Sequence, residues 1–325
     1  MERNIKIDNL KAFLIFMVVL GHSLEYLCGT NGIYGIIRAA IYSFHIPTFV
    51  FLSGYLSKFS KRPLAELTIT YMVTYVVFSF LLSPIPWGVS TIFNLLYPQI
   101  LLWYLLCLWV WHILTPALSN IKYILPLTFL IALFIGFFPE ADRFLSISRM
   151  ICLLPFFLAG YKSSMPLSQK ANKPLAFIVM VLCITITVIA NIYGFIPLKM
   201  YEYVQSYSST NISVVTGILI RGFIMINSFV IIFCLYNLFP KKSCRFSKWG
   251  SNSLMIYLIH LLLIKLITTF IPIDKSRQVL YIVVCVGFSF VICWLLSLPI
   301  IKHTYNKVMS IIVKTLIEKD SQSKI

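Results

Sequence analysis

Charge is scarce in this chain. Only 11% of its 325 residues are Asp, Glu, Lys or Arg, and the acidic ones number ten. Soluble domains carry about a quarter charged residues, so a composition that is 59% hydrophobic, with mean hydropathy +0.90, excludes a soluble globular fold. Metal-site spacing is also missing. The eight cysteines (Cys28, Cys107, Cys152, Cys183, Cys234, Cys244, Cys285 and Cys293) lie mostly within apolar runs and form no C-x-x-C or Cys/His pattern. They read as small packing residues, and no metal is expected. No repeat, low-complexity tract or soluble extra domain is visible. Arg3, Lys6 and Lys11 precede an apolar run in the manner of a signal peptide. No small-residue cleavage site follows, so that run reads as a retained first helix.

What the chain does have is long apolar runs. Windows of about 20 residues predict an all-α polytopic membrane protein, a bundle of about ten transmembrane helices forming one domain over 1–325. The expected spans are about 8–27, 32–57, 64–83, 96–117, 123–138, 144–161, 175–194, 212–239, 251–272 and 279–301, followed by a basic amphipathic tail over 302–325. Breaks fall at Ser83-Pro84-Ile85-Pro86, Pro139-Glu140-Ala141-Asp142-Arg143 and Pro240-Lys241-Lys242-Ser243.

Net charge of +17 raises the question of nucleic acid. The Lys and Arg residues occupy short loops between apolar runs, where membrane topology explains them, and no nucleic-acid partner is expected. Placing the N-terminus inside gathers Lys58, Lys61, Arg62, Lys122, Lys162, Lys170, Lys173, Lys241, Lys242, Arg245, Lys248 and the tail lysines on that side. Arg143, Lys199, Lys275 and Arg277 remain outside. Both termini are therefore expected to be cytoplasmic, in a multi-pass protein of the cell membrane with the lipid bilayer as its first partner.

Four basic residues fall inside spans. Arg38 and Lys265 are expected to snorkel toward an interface, while Arg149 and Arg221 need an acidic partner, backbone carbonyls or a wet cavity. The longest outer loop, near Phe195 to Asn211, is rich in Tyr, Ser and Asn. Its composition suits a sugar-binding surface and equally an interfacial tyrosine belt.

Lys11 and His22 stand eleven positions apart on the first apolar run. At about 100° per residue both lie on one helix face, roughly 16 Å apart along the axis. Glu25 follows His22 by three positions, where a carboxylate can hold one imidazole tautomer and raise the basicity of the other nitrogen. His45 lies in Ser43-Phe44-His45-Ile46-Pro47, beside an expected proline bend. Its reading is open between a site role and an interhelical bond. Lys58, Lys61 and Arg62 suit either topology or an anionic phosphate donor. Trp103 and Tyr104 open one apolar run, and Tyr257 and His260 share a face near the start of another. By spacing alone these are packing residues first.

Read together, these stretches resemble the acyltransferase-3 family of integral-membrane O-acyltransferases, over nearly the whole chain. Lys11 with ten residues before His22 is similar to that family's Arg-or-Lys-x10-His signature. Ser-Phe-His-Ile-Pro leading to Phe-Leu-Ser-Gly-Tyr, then Leu-Trp-Tyr-Leu, Pro-Phe-Phe-Leu-Ala-Gly-Tyr and Asn-Ser-Leu-x-Ile-Tyr-Leu-Ile-His, follow in the family's usual order. The resemblance implies that acetyl passes from cytoplasmic acetyl-CoA to a sugar hydroxyl at the outer face. It makes His22 the catalytic residue and Lys11 a donor-binding cation. Lys58, Lys61 and Arg62 stand where many members have Arg-x-x-Arg, with Lys keeping the charge but losing bidentate geometry. Among compact members the chain looks most like capsular and exopolysaccharide O-acetyltransferases, including the fucose-acetylase-like group. No C-terminal transferase domain follows the tenth expected span, so direct transfer or hand-over to a separate protein is expected.

The expected site thus comprises His22, Glu25 and Arg149 as catalytic residues, with Arg149 ranked ahead of Tyr104 and Tyr257 as oxyanion donor. Lys11, Lys58, Lys61 and Arg62 hold the donor. His45, Trp103, Tyr104, Tyr257 and His260 meet the acceptor, a polysaccharide or lipid-linked sugar, with capsule or exopolysaccharide assembly proteins as further partners. The rival readings are a polysaccharide-precursor flippase with a His22, Glu25 and His45 proton relay, and a membrane sensor built on a degenerate bundle.

Overall fold

The computed structural model describes residues 4–29, 31–83, 94–99, 101–164, 172–270 and 278–317. Within lipid the backbone must satisfy its own hydrogen bonds, and the regular structure among the described residues is accordingly helical, with no strand among them. The helices are α1 (Ile5–Ser23), α2 (Gly32–Tyr42), α3 (His45–Ser57), α4 (Leu64–Leu82), α5 (Trp103–Leu118), α6 (Ile124–Phe134), α7 (Ile147–Lys162), α8 (Lys173–Ile192), α9 (Val214–Leu238), α10 (Ser247–Ser251), α11 (Ser253–Phe270), α12 (Gln278–Leu296) and α13 (Pro299–Leu316). Among the described residues seven helical stretches are long and apolar enough to cross a membrane: Ile5–Cys28, Gly32–Ser57, Leu64–Leu82, Phe144–Lys162, Lys173–Ile192, Val214–Leu238 and Gln278–Leu296. Shorter apolar helices at Trp103–Leu118, Ile124–Phe137 and Ser253–Thr268 occupy the stretches read as the fourth, fifth and ninth spans. The chain is an all-α polytopic membrane protein. Part of the Ser83-Pro84-Ile85-Pro86 break lies outside the described residues, as do Arg3, Lys170, Lys275, Arg277, Lys319 and Lys324.

α1 is the axis of the bundle. It begins where the Asn4 side chain accepts the Ile7 N–H at 3.3 Å, satisfying one of the donors a helix start leaves open. It packs against α2, α3, α10, α11 and α12. Asn9, one turn in, donates to the carbonyls of Pro240 and Lys242 at 3.0 and 2.9 Å and ties the basic 240–247 turn to α1. α4, α8 and α12 instead turn side chains such as Phe80, Leu182 and Val283 outward, as lipid-facing helices do.

Two glycines set the second contact that matters. A Cβ on Gly54 would collide with the Phe157 carbonyl oxygen, and one on Gly160 with that of Phe51. α3 and α7 therefore touch backbone to backbone through small residues, the geometry that membrane helices use for close packing.

The second expected span is broken rather than bent. Phe44, at φ −139° and ψ −28°, leaves the helix between α2 and α3, three residues ahead of Pro47. A broken helix exposes carbonyls, and three of them here meet side chains. Ser228 Oγ donates to the Ser43 carbonyl at 2.6 Å, Thr48 Oγ1 to that of Phe44 at 2.6 Å, and His45 Nδ1 lies 2.8 Å from that of Ile41. α1 also changes character at its far end, where Leu24–Cys28 forms a π turn directly after Ser23. Such turns cluster at functional sites.

The 195–211 loop is neither a belt nor a free surface. Tyr201, Tyr203 and Tyr207 are buried. Arg221 Nη2 donates to the Gln205 carbonyl at 2.8 Å while its guanidinium stacks on Tyr207, and Ser206 and Ser209 both donate to Asp142. The loop is clamped over one end of the bundle. At the opposite, basic end α13 lies amphipathically along α4, with the Tyr305 and Thr74 hydroxyls 2.9 Å apart.

Candidate active site

A cavity of about 640 Å³ opens beneath that clamped loop, a size ordinary for small-molecule sites. Its walls come from α1 and its π turn, from α2 and α3 at their break, from the starts of α5 and α7, and from the 201–205 stretch. His22, Glu25, His45, Trp103, Arg149 and Tyr257 all line it.

His22 is on the cavity wall with 18% of its side chain exposed. Its Nδ1 is sealed from solvent and lies 3.5 Å from Glu25 Oε2. The exposed edge of the ring is therefore the Nε2 side. Glu25 in turn is gripped from behind: Arg38 Nη2 approaches Oε2 to 2.9 Å and the Tyr42 hydroxyl donates to it at 3.2 Å. Arg38 does not snorkel. It is 1% exposed, and the same Nη2 lies 3.7 Å from Glu202 Oε1 on the clamped loop. The reason is the partner: two carboxylates from distant segments hold a guanidinium better than a distant interface would. An Arg at the centre of two carboxylates links the loop to the imidazole.

Arg149 lines the same cavity. Its Nε donates to the Glu202 backbone carbonyl at 3.1 Å, and its guanidinium stacks 4.7 Å from the Trp103 ring centre. Glu202 keeps 30% of its side chain exposed. Burial by the surrounding protein still pushes its carboxyl above the usual range, against the opposing pull of Arg149 and Arg38.

Not every expected residue gathers here. Tyr257 lines the cavity, but its hydroxyl donates to the Leu101 carbonyl. Tyr104 stands behind it with its hydroxyl 2.8 Å from Ser53 Oγ, and neither Tyr104 nor His260 is among the lining residues. His45 is committed at Nδ1 to the broken helix and, though nearly buried, lies on the cavity wall. Lys11 lies one unbroken helix away from His22, and Lys58, Lys61 and Arg62 are exposed at the far basic end. Arg62 pairs there with Glu66 at 3.5 Å. The four cations and the cavity are on opposite sides of His22.

Residue-level reading of the sequence missed Tyr42 and Glu202 and misplaced Arg38. The available signal was scarcity: Glu25 and Glu202 are two of only ten acids, and an Arg inside an apolar run has to find one of them. Among the described residues no group of three or more His, Cys, Asp or Glu is placed to hold a metal.

An imidazole with a carboxylate on one nitrogen and open space on the other, set within a membrane bundle, is the arrangement of a buried general base or nucleophile. Comparison with known families agrees with that class. The acyltransferase-3 family model, described as an acyltransferase domain, matches residues 4–298, and the chain belongs to this family of membrane acyltransferases. No curated protein and no solved structure matches the chain.

Proposed function

We propose that this membrane acyltransferase moves acetyl from acetyl-CoA to a hydroxyl of a cell-surface polysaccharide, capsular or exopolysaccharide, or of its lipid-linked precursor. The observation that carries the reading is the position of His22, on the wall of a polar and aromatic cavity at one end of the bundle while the cationic segment occupies the other. Acetyl-CoA approaches from the basic, cytoplasmic side of the cell membrane, its phosphates met by Lys11, Lys58, Lys61 and Arg62. Its long pantetheine arm spans the roughly 16 Å along α1 from Lys11 to His22. The sugar enters the opposite cavity and meets Trp103, Tyr257 and His45, aromatic surfaces that suit the apolar faces of a sugar ring.

His22 Nε2 takes the proton of the attacking hydroxyl, and the sugar oxygen bonds to the thioester carbonyl carbon. Negative charge builds on the carbonyl oxygen, where Arg149, a cation of the cavity wall, receives it. The C–S bond then breaks, and the imidazolium returns its proton to the departing CoA thiolate. Attack by His22 itself gives the same net transfer through an acetyl-imidazole. Glu25, held by Arg38 and Tyr42, stabilises the imidazolium in either route.

The test is direct. Surface polysaccharide from cells with and without the gene is assayed for O-acetyl, and purified protein for consumption of acetyl-CoA. Loss of acetyl alone, with turnover of acetyl-CoA in vitro, is the expected result. Loss of the polymer as a whole, with no turnover, would replace the enzyme with a precursor transporter.

A further inference from the structure

The His22 ring packs beside a second imidazole whose proton is fixed by geometry. His260, on α11, is 0% exposed, and its Nδ1 lies 2.8 Å from the Ile256 carbonyl oxygen. A carbonyl only accepts, so Nδ1 carries the proton and Nε2 keeps a lone pair. That Nε2 is sealed from solvent and makes no hydrogen bond to a described residue. Two polar rings stand next to it. Tyr257, at 6.2 Å between ring centres, has given its hydroxyl hydrogen to Leu101. His22, at 5.5 Å, has its own sealed Nδ1, which makes no hydrogen bond to a described residue.

We propose that His260 is a positioning residue for His22. Its fixed acceptor nitrogen takes the His22 Nδ1–H directly once the two neighbouring rings turn edge to edge, both nitrogens being sealed too tightly to admit a water between them, so that His22 keeps its Nε2 lone pair for the cavity. The inference rests on the proposed role of His22 as base or nucleophile. Glu25 alone does not complete this arrangement. Its Oε2 is already shared between Arg38 and Tyr42 and stands 3.5 Å from the imidazole nitrogen, longer than a hydrogen bond. Glu25 attracts the proton toward Nδ1 electrostatically, and His260 supplies the directional acceptor. The opposite tautomer would present an N–H to the incoming hydroxyl and leave no base in the cavity. Because His260 does not line the cavity, its effect passes through His22 and not through the acceptor.

The experiment is nitrogen-15 histidine NMR on the full-length protein in lipid nanodiscs, with His22 assigned from a His22→Gln sample, beside acetyl-CoA kinetics. Wild-type His22 is expected as the neutral Nδ1–H tautomer. His260→Phe keeps the ring volume without an acceptor. It is expected to give His22 a mixed tautomer signal and to lower kcat at least about tenfold, with KM for acetyl-CoA within about twofold of wild type. His260→Gln places an amide oxygen near the Nε2 position and is expected to restore both. A wild-type His22 protonated on Nε2, or a His260→Phe variant with unchanged tautomer and kcat, overturns the proposal. If His260→Phe fails to fold, the wild-type spectrum and the His260→Gln variant decide. If wild type does not turn over acetyl-CoA, the enzymatic reading fails, while the spectrum still decides where the proton sits.

Discussion

A carboxylate inside an apolar bundle is tolerable only among donors, and Glu25 has Arg38, Tyr42 and His22 around one oxygen. Removing the guanidinium should be costly. Arg38→Met leaves Glu25 and Glu202 without the guanidinium they share, and unfolding in detergent is expected to show a loss of about 3–5 kcal/mol. Arg38→Lys keeps one charge without the planar fork; it is expected to recover part of that stability but less of the acyl-transfer rate. Glu202 gives a pH signature. Its raised folded pKa means the folded state holds the proton to higher pH than the unfolded chain. Stability from this group therefore falls as pH rises from the ordinary carboxylate range, about 4, through the raised value. Glu202→Gln is expected to flatten that fall in thermal midpoints measured between about pH 4 and pH 7, and an unchanged slope would reject the assignment.

The elements divide by how much of them periodicity can carry. The Lys11 and His22 stripe is legible because α1 runs unbroken through Ser23, so 3.6-residue spacing applies. Where α1 passes into a π turn, hydropathy gives no warning, since an apolar run looks the same at either winding. The α2–α3 break was legible only as a proline bend. Its real position depends on partners such as Ser228, which is 185 residues from Ser43 along the chain. Arg38 was misread for the same reason. Snorkelling is judged from distance to a helix end, while its actual partner Glu202 arrives from a loop between α8 and α9. The glycines within Phe-Leu-Ser-Gly-Tyr and Leu-Ala-Gly-Tyr, by contrast, owe their presence to the α3–α7 contact. Gly54→Val or Gly160→Val should push those backbones apart and cost about 1–3 kcal/mol or more. The double variant should lose less than the sum, since both act on one contact. Additive losses in thermal unfolding would count against a shared interface.

At the scale of the whole molecule, cations and cavity separate to opposite ends with His22 between them, which matches a reaction whose two substrates arrive from different sides. Charge at the basic end should then act on donor binding alone. Replacing Lys58, Lys61 and Arg62 together with Ala is expected to raise KM for acetyl-CoA severalfold with little change in kcat. That effect should shrink as salt rises, because exposed charges are screened beyond about 8–10 Å at physiological ionic strength. A fall in kcat at unchanged KM would move those residues out of donor binding. The most direct measurement is transfer of radiolabelled acetyl from acetyl-CoA to polysaccharide acceptor by protein reconstituted in nanodiscs, comparing wild type with a His22→Ala variant that folds equally well. Labelled acceptor is expected with wild type and a loss of at least about a hundredfold with His22→Ala; transfer by that variant at the wild-type rate would remove His22 from the chemistry.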